Sequence, residues 1–121
     1  MKKPINIHNT ESMLDLVPGQ FSVFVLDGWG VELNEFSISL EHVKSKDQIK
    51  IKLANWPIQR IIKRRRAKKI FVFKIYETGI YKVVFNNSCR LEVKRSNLRL
   101  LFSRLFKYLP NENLEICFVK S

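Results

Sequence analysis

Six of the seven residues in Lys63-Arg64-Arg65-Arg66-Ala67-Lys68-Lys69 are cations. Crowded on a folded surface they repel one another, and a polyanion laid along them would relieve that repulsion. A nucleic acid would in addition release condensed counterions, a gain that grows as salt is lowered. Heparin or an acidic lipid surface offers related chemistry, and a solvated loop in a Lys-rich chain has the same composition. Lys50, Lys52 and Arg90 carry positive charge beyond the run. We therefore take Lys63, Arg64, Arg65, Arg66, Lys68 and Lys69, extended by Lys50, Lys52 and Arg90, as the candidate contacts to phosphates.

Aromatic residues follow closely: Phe71, Phe73, Tyr76, Tyr81 and Phe85. Rings exposed on a sheet can stack on bases. The stretch Lys69-Ile70-Phe71-Val72-Phe73-Lys74-Ile75-Tyr76 has a faint likeness to an RRM ribonucleoprotein strand, without its glycines. Phe71, Phe73 and Ile75 share one face of a strand, and large apolar groups in phase with an aliphatic residue are expected in the core.

Glu92-Val93-Lys94 puts a carboxylate and an amine on the same face of a strand, followed by an amphipathic segment and a further strand. The arrangement resembles the E-x-K strand of the PD-(D/E)xK nuclease superfamily over residues 77–118. The resemblance implies a divalent metal held by an Asp and by Glu92, with Lys94 assisting water. No Asp follows Asp47, however, and the nearest upstream acid is Glu77, in a turn. His8, His42, Cys89 and Cys117 lack the close paired spacing of zinc ligands. No Gly-rich phosphate loop or nucleophile elbow is present. No catalytic residue, metal or cofactor is assigned on these grounds. Trp29, in Asp27-Gly28-Trp29-Gly30, is a turn aromatic that covers the core edge or contacts a ligand.

These groups must be positioned by strands, because period-two patterns dominate the chain. Residues 21–26 (FSVFVL) form an almost wholly apolar run between Pro18-Gly19 and Asp27-Gly28, which suits a buried strand. Phe36, Ile38 and Leu40 alternate with polar residues, as do Ile49, Ile51 and Leu53, whose intervening positions include Lys50 and Lys52. Residues 70–76 and 80–85 flank Glu77-Thr78-Gly79, which predicts a hairpin. The turn Asn86-Asn87-Ser88 then leads to Leu91 and Val93, completing an expected three-stranded meander. Cys89 falls in phase with Leu91 and Val93 and is expected in the core. Leu114, Ile116 and Phe118 predict a last strand.

Two segments read as helical. Leu98, Leu101, Phe102, Leu105, Phe106 and Leu109 recur at helical spacing, with Ser96 or Asn97 as N-cap and Pro110-Asn111 as terminator. Packing on the sheet is the expected use of this helix, although an interfacial membrane helix looks similar. Met13, Leu14, Leu16 and Val17 suggest a short N-terminal helix. Residues 55–69 are ambiguous between helix and strand, and a short helix or irregular connection is expected.

The chain has 121 residues, 45% of them hydrophobic, which suits one folded domain over residues 1–121 and excludes disorder. No apolar run reaches the roughly 20 residues of a membrane-spanning helix. The interruption of the Met-Lys-Lys start by Pro4, Asn6 and His8 argues against a secretion signal, so a cytoplasmic protein with two reduced thiols is expected. The 22 Lys and Arg against 11 Asp and Glu give a net charge of +11. The expected fold is mainly β (α+β): an antiparallel β-sandwich or curled sheet of about seven strands with one C-terminal amphipathic helix packed on it. The expected function is binding of an acidic partner, nucleic acid first. The alternatives are an assembly subunit that binds an acidic protein surface, and a degenerate metal-dependent nuclease using Glu92 and Lys94.

Overall fold

A computed structural model describes residues 3–10, 12–56, 58–94 and 108–121. Its described strands are β1 (Ile5–Asn6), β2 (Ser12–Leu16), β3 (Gly19–Leu26), β4 (Gly30–Glu32), β5 (Ser37–His42) and β6 (Gln48–Ile49). They continue with β7 (Lys52–Leu53), β8 (Gln59–Ile62), β9 (Arg65–Ile75), β10 (Gly79–Asn86), β11 (Glu92–Lys94) and β12 (Glu115–Lys120). The first sheet runs β1-β12-β3-β9-β7, with β8 also paired to β9. The second runs β2-β10-β5-β6, and β4 pairs with β11 as a separate ribbon. Every pairing is antiparallel. The protein is thus mainly β, as the alternation of its sequence requires, with more strands than seven.

The two large sheets share one core. Phe21, Val23, Val25, Phe71, Phe73, Ile75, Ile116 and Phe118 from the first sheet meet Leu16, Ile38, Leu40, Tyr81 and Val83 from the second. Phe21 stacks on Phe73 at 5.4 Å, and Phe118 meets Phe73 edge-on at 5.9 Å, offset and edge-on geometries that aromatic quadrupoles favour. The reason for the nearly unbroken apolar run of β3 lies on its other face. There Phe24 and Leu26 join Ala67, Cys117 and Val119 in a second buried cluster. A strand buried on both faces favours apolar side chains throughout, and the polar residue within the run, Ser22, is small and itself buried.

Several expectations change. β9 and β10 are not a hairpin, because they lie in different sheets and Glu77-Thr78 carries the chain from one layer to the other. Both apolar rows still reach the core, from opposite sides, while β10 finds its partners in β2 and β5. The Tyr81 hydroxyl donates to the Glu77 carbonyl at 2.6 Å and pins this arch. Burial holds the Tyr81 phenol above the ordinary tyrosine value, with Glu77 and Asp47 adding to the effect, so it stays a donor. The meander fails for the same reason, since β11 pairs with β4 rather than β10.

The strand expected over Ile49, Ile51 and Leu53 is broken: Ile49 pairs with Leu40 in the second sheet, whereas Lys52 and Leu53 pair with β9 in the first. Residues 13–16, expected to be helical, form most of β2, where Leu16 and half-buried Leu14 face the core beside exposed Met13 and Asp15. Cys89 is exposed, because Ser88–Arg90 is a 3-10 turn that takes it out of phase with buried Leu91 and Val93. Cys117 is buried, and no disulfide joins it to Cys89. Of the expected helix over residues 98–109, all but Tyr108 and Leu109 lies outside the described residues. No C-terminal helix is found among those that are described. Nor, among them, is any helix long and apolar enough to cross a membrane.

One glycine is fixed by a close approach. A Cβ on Gly28 would overlap the Lys94 carbonyl oxygen and a methyl of Val93, so the turn after β3 packs directly on β11. Gly28→Ala is expected to cost about 1–3 kcal/mol, read as a lower midpoint in urea denaturation. An unchanged midpoint would mean that the turn and β11 are not in contact.

Candidate nucleic-acid interface

Residues 55–69 do not form the expected helix or irregular connection. β8 and β9 pair through Gln59–Lys68, Arg60–Ala67, Ile61–Arg66 and Ile62–Arg65, which leaves Lys63 and Arg64 as a two-residue loop. Both have positive φ, 48° and 67°, the conformation of a type I′ hairpin turn. Such turns match strand twist but favour Asn-Gly, because a side chain in the left-handed region costs roughly 1–2 kcal/mol. Two long cations therefore occupy the position least suited to them. A reading based on Gly and Asn turn signals passes over this hairpin.

A bulge decides which way the run faces. Between Val23 and Phe24 the register on β9 steps from Phe71 to Lys69, leaving Ile70 as an extra residue. Phe71, Phe73 and Ile75 face the main core, and strict alternation would have turned Lys69, Ala67 and Arg65 the same way. The bulge reverses them. Ala67 joins Phe24 and Leu26 on the face of the first sheet that turns away from the main core; Ala67 is buried there, and Lys69 and Arg65, which share its parity, are half-buried. Arg60, opposite Ala67, also lies there, with its guanidinium 5.4 Å from the centre of the Phe24 ring. Lys52, paired with Val72, and Lys74, two residues further along β9, have that parity too. One face of the first sheet therefore carries Lys52, Arg60, Arg65, Lys69 and Lys74, with Lys63 and Arg64 at the hairpin tip. Arg66 and Lys68 fall on the opposite side of the strand.

The candidate cations are not equivalent. Arg65 bridges two acids, donating from Nε and Nη2 to Asp27 at 2.7 and 2.5 Å and from Nη2 to Glu115 at 2.7 Å. The bond to Asp27, opposed by burial and assisted by Glu115, holds the guanidinium above the ordinary arginine value, so it is charged at any working pH. Its role is to tie β9 to β12 and to the end of β3. Arg66 lies over the Trp29 ring at 4.5 Å, which gives that turn aromatic a cation–π partner. Arg64, Arg65 and Arg66 line a cleft of about 430 Å³ together with Asp27, Pro110 and Asn113. Among the described residues, no acid lies within ion-pair distance of Arg64, Lys68 or Lys69.

Lys50 and Lys52 meet Lys74 in a separate groove beside β9. Arg90 belongs elsewhere: its Nη1 is paired with Glu35, and Asn34 and Glu92 complete its surroundings. Glu92 accepts a hydrogen bond from Asn34 at 2.7 Å, and Lys94 lies over the Tyr108 ring at 4.6 Å. Glu77, the acid nearest upstream of the E-x-K strand, is turned toward His42 at 4.0 Å. Among the described residues there is no group of three or more His, Cys, Asp or Glu side chains fit to hold a metal ion.

Among the strand aromatics, Phe71, Phe73 and Tyr81 are buried and Phe85 is half-buried, whereas Tyr76 is 81% exposed. Arg60 and Lys74 are the cations of this surface that lie outside the run of charge, and Lys74 carries a sequence signal in the parity it shares with Val72. Comparison with known protein families, curated protein sequences and solved structures finds no match for this chain.

Proposed function

We propose that the protein is a nucleic-acid-binding module that grips the phosphate backbone with the outward cations of β7, β8 and β9. The observation that carries this reading is the parity switch at Ile70, which puts Lys52, Arg60, Lys69 and Lys74 on one side of the first sheet with the Lys63–Arg64 tip at its end. Residues 65–74 of a strand span roughly 30 Å at about 3.3 Å per residue, room for several successive phosphates. Arg65, already matched by Asp27 and Glu115, positions the hairpin rather than the ligand.

Fluorescence anisotropy with a labelled DNA duplex at rising salt tests this reading. With four or five phosphates contacted, log K should fall against log salt with a slope of about −4. Affinity that does not respond to salt rejects phosphate contact.

A second reading has its own observation. Leu53, Trp56, Ile58 and Ile61, along and between β7 and β8, are exposed, Trp56 at 76%. Aromatic and aliphatic groups beside cations also suit an acidic protein partner in an assembly. Under that reading a stoichiometric complex with an acidic protein forms in light scattering and is lost in Trp56→Ser.

A further inference from the structure

The groove beside β9 arises from a break in strand pairing. The Ala54 N–H donates to the Ile70 carbonyl and Lys52 pairs with Val72, so continuing the ladder would set Lys50 opposite Lys74. Instead the chain leaves β9 at Ile51 and crosses to the second sheet, where Ile49 pairs with Leu40. By the alternation of an antiparallel ladder, the backbone N–H and C=O of Lys74 turn toward the gap that is left. The gap is a groove of about 600 Å³, within the range of ligand clefts. Lys50, Lys52 and Lys74 supply its charge, Gln48 and Asn55 its amides, and Tyr76 its exposed ring. Among the described residues, no acid lines it.

We infer that this groove takes single-stranded nucleic acid, with phosphates on Lys50, Lys52 and Lys74 and one base stacked on Tyr76. The inference rests on the nucleic-acid reading above and narrows it to a strand type and a place. Three cations around one groove call for a ligand with more than one negative charge. An aromatic ring left in water beside them offers a flat apolar face, and an unpaired base has a flat face to give. Bases inside a duplex are already stacked and cannot reach the ring. The amides of Gln48 and Asn55, with the open edge at Lys74, present donors and acceptors suited to base edges.

Anisotropy titration of a labelled oligothymidylate, beside a duplex of the same length, tests the inference. Tyr76→Ala should weaken single-strand binding about tenfold while leaving duplex binding unchanged, and Tyr76→Phe should retain full affinity. Lys74→Gln should reduce the single-strand salt slope by about 0.7. All three substitutions fall at exposed positions, Tyr76 and Lys74, so the fold is maintained. If the protein binds nucleic acid but Tyr76→Ala and Lys74→Gln bind oligothymidylate like the wild type, the groove assignment is wrong and the broader reading stands. If the wild type binds neither strand nor duplex, the nucleic-acid reading fails and the groove assignment falls with it.

Discussion

Lys52→Gln, Lys63→Asn, Arg64→Gly and Lys69→Gln combined in one protein should abolish most of its affinity for a DNA duplex. Each phosphate contact contributes about 0.9 to the slope of log K against log salt, so removing four flattens it by about 3.6. Extrapolated from molar salt, that is a loss of roughly three and a half orders of magnitude near 0.1 M. The choice of Asn and Gly at the hairpin tip makes the variant informative in a second way. Lys63 and Arg64 both hold positive φ, and Asn-Gly is the pair that a type I′ turn favours. The weakly binding variant should therefore be more stable than the wild type, by about 1 kcal/mol in chemical denaturation. Loss of binding with a gain in stability cannot be ascribed to misfolding. If the variant binds as well as the wild type, the outward face of β9 is not the contact surface.

Phe73→Ala should have the largest effect on stability, about 3–5 kcal/mol in urea denaturation. Phe73 is 3% exposed and is clamped between Phe21 and Phe118, so its removal leaves a cavity that three strands cannot close. The penalty also bears on function. Phe73 and Lys74 are neighbours on β9, one facing the core and the other the groove, and the core anchors the strand that displays the cations. A cost under about 1 kcal/mol would mean that Phe73 is not a central packing residue.

Much of this arrangement was legible in the residues themselves. The apolar run of β3 reads as a buried strand because both faces of that strand are covered. Phe71, Phe73 and Ile75 read as core because three large apolar groups in phase have no other use. The alternation at Leu114, Ile116 and Phe118 likewise anticipates β12. Local pattern fails where a single residue changes the parity or the partner. The bulge at Ile70 leaves no mark in composition, yet it decides which cations of the run share a face with Lys74. Glu77-Thr78-Gly79 suits an arch as well as a hairpin, since both require only a reversal of the chain. The tip at Lys63-Arg64 lacks the Gly or Asn that marks a turn, so the hairpin around it resembles a continuous basic segment. Arg90 shows the limit of counting charges, because Glu35 beside it is 55 residues away in the chain.

Chemical-shift mapping of the amide resonances during titration with a DNA oligonucleotide tests most directly whether β7, β8 and β9 present one phosphate-binding face. The largest shifts should fall at Lys52, Arg60, Lys63, Arg64, Lys69 and Lys74, and should diminish together as salt is raised. Shifts centred on Arg90 and Glu35, or none at all, would contradict it.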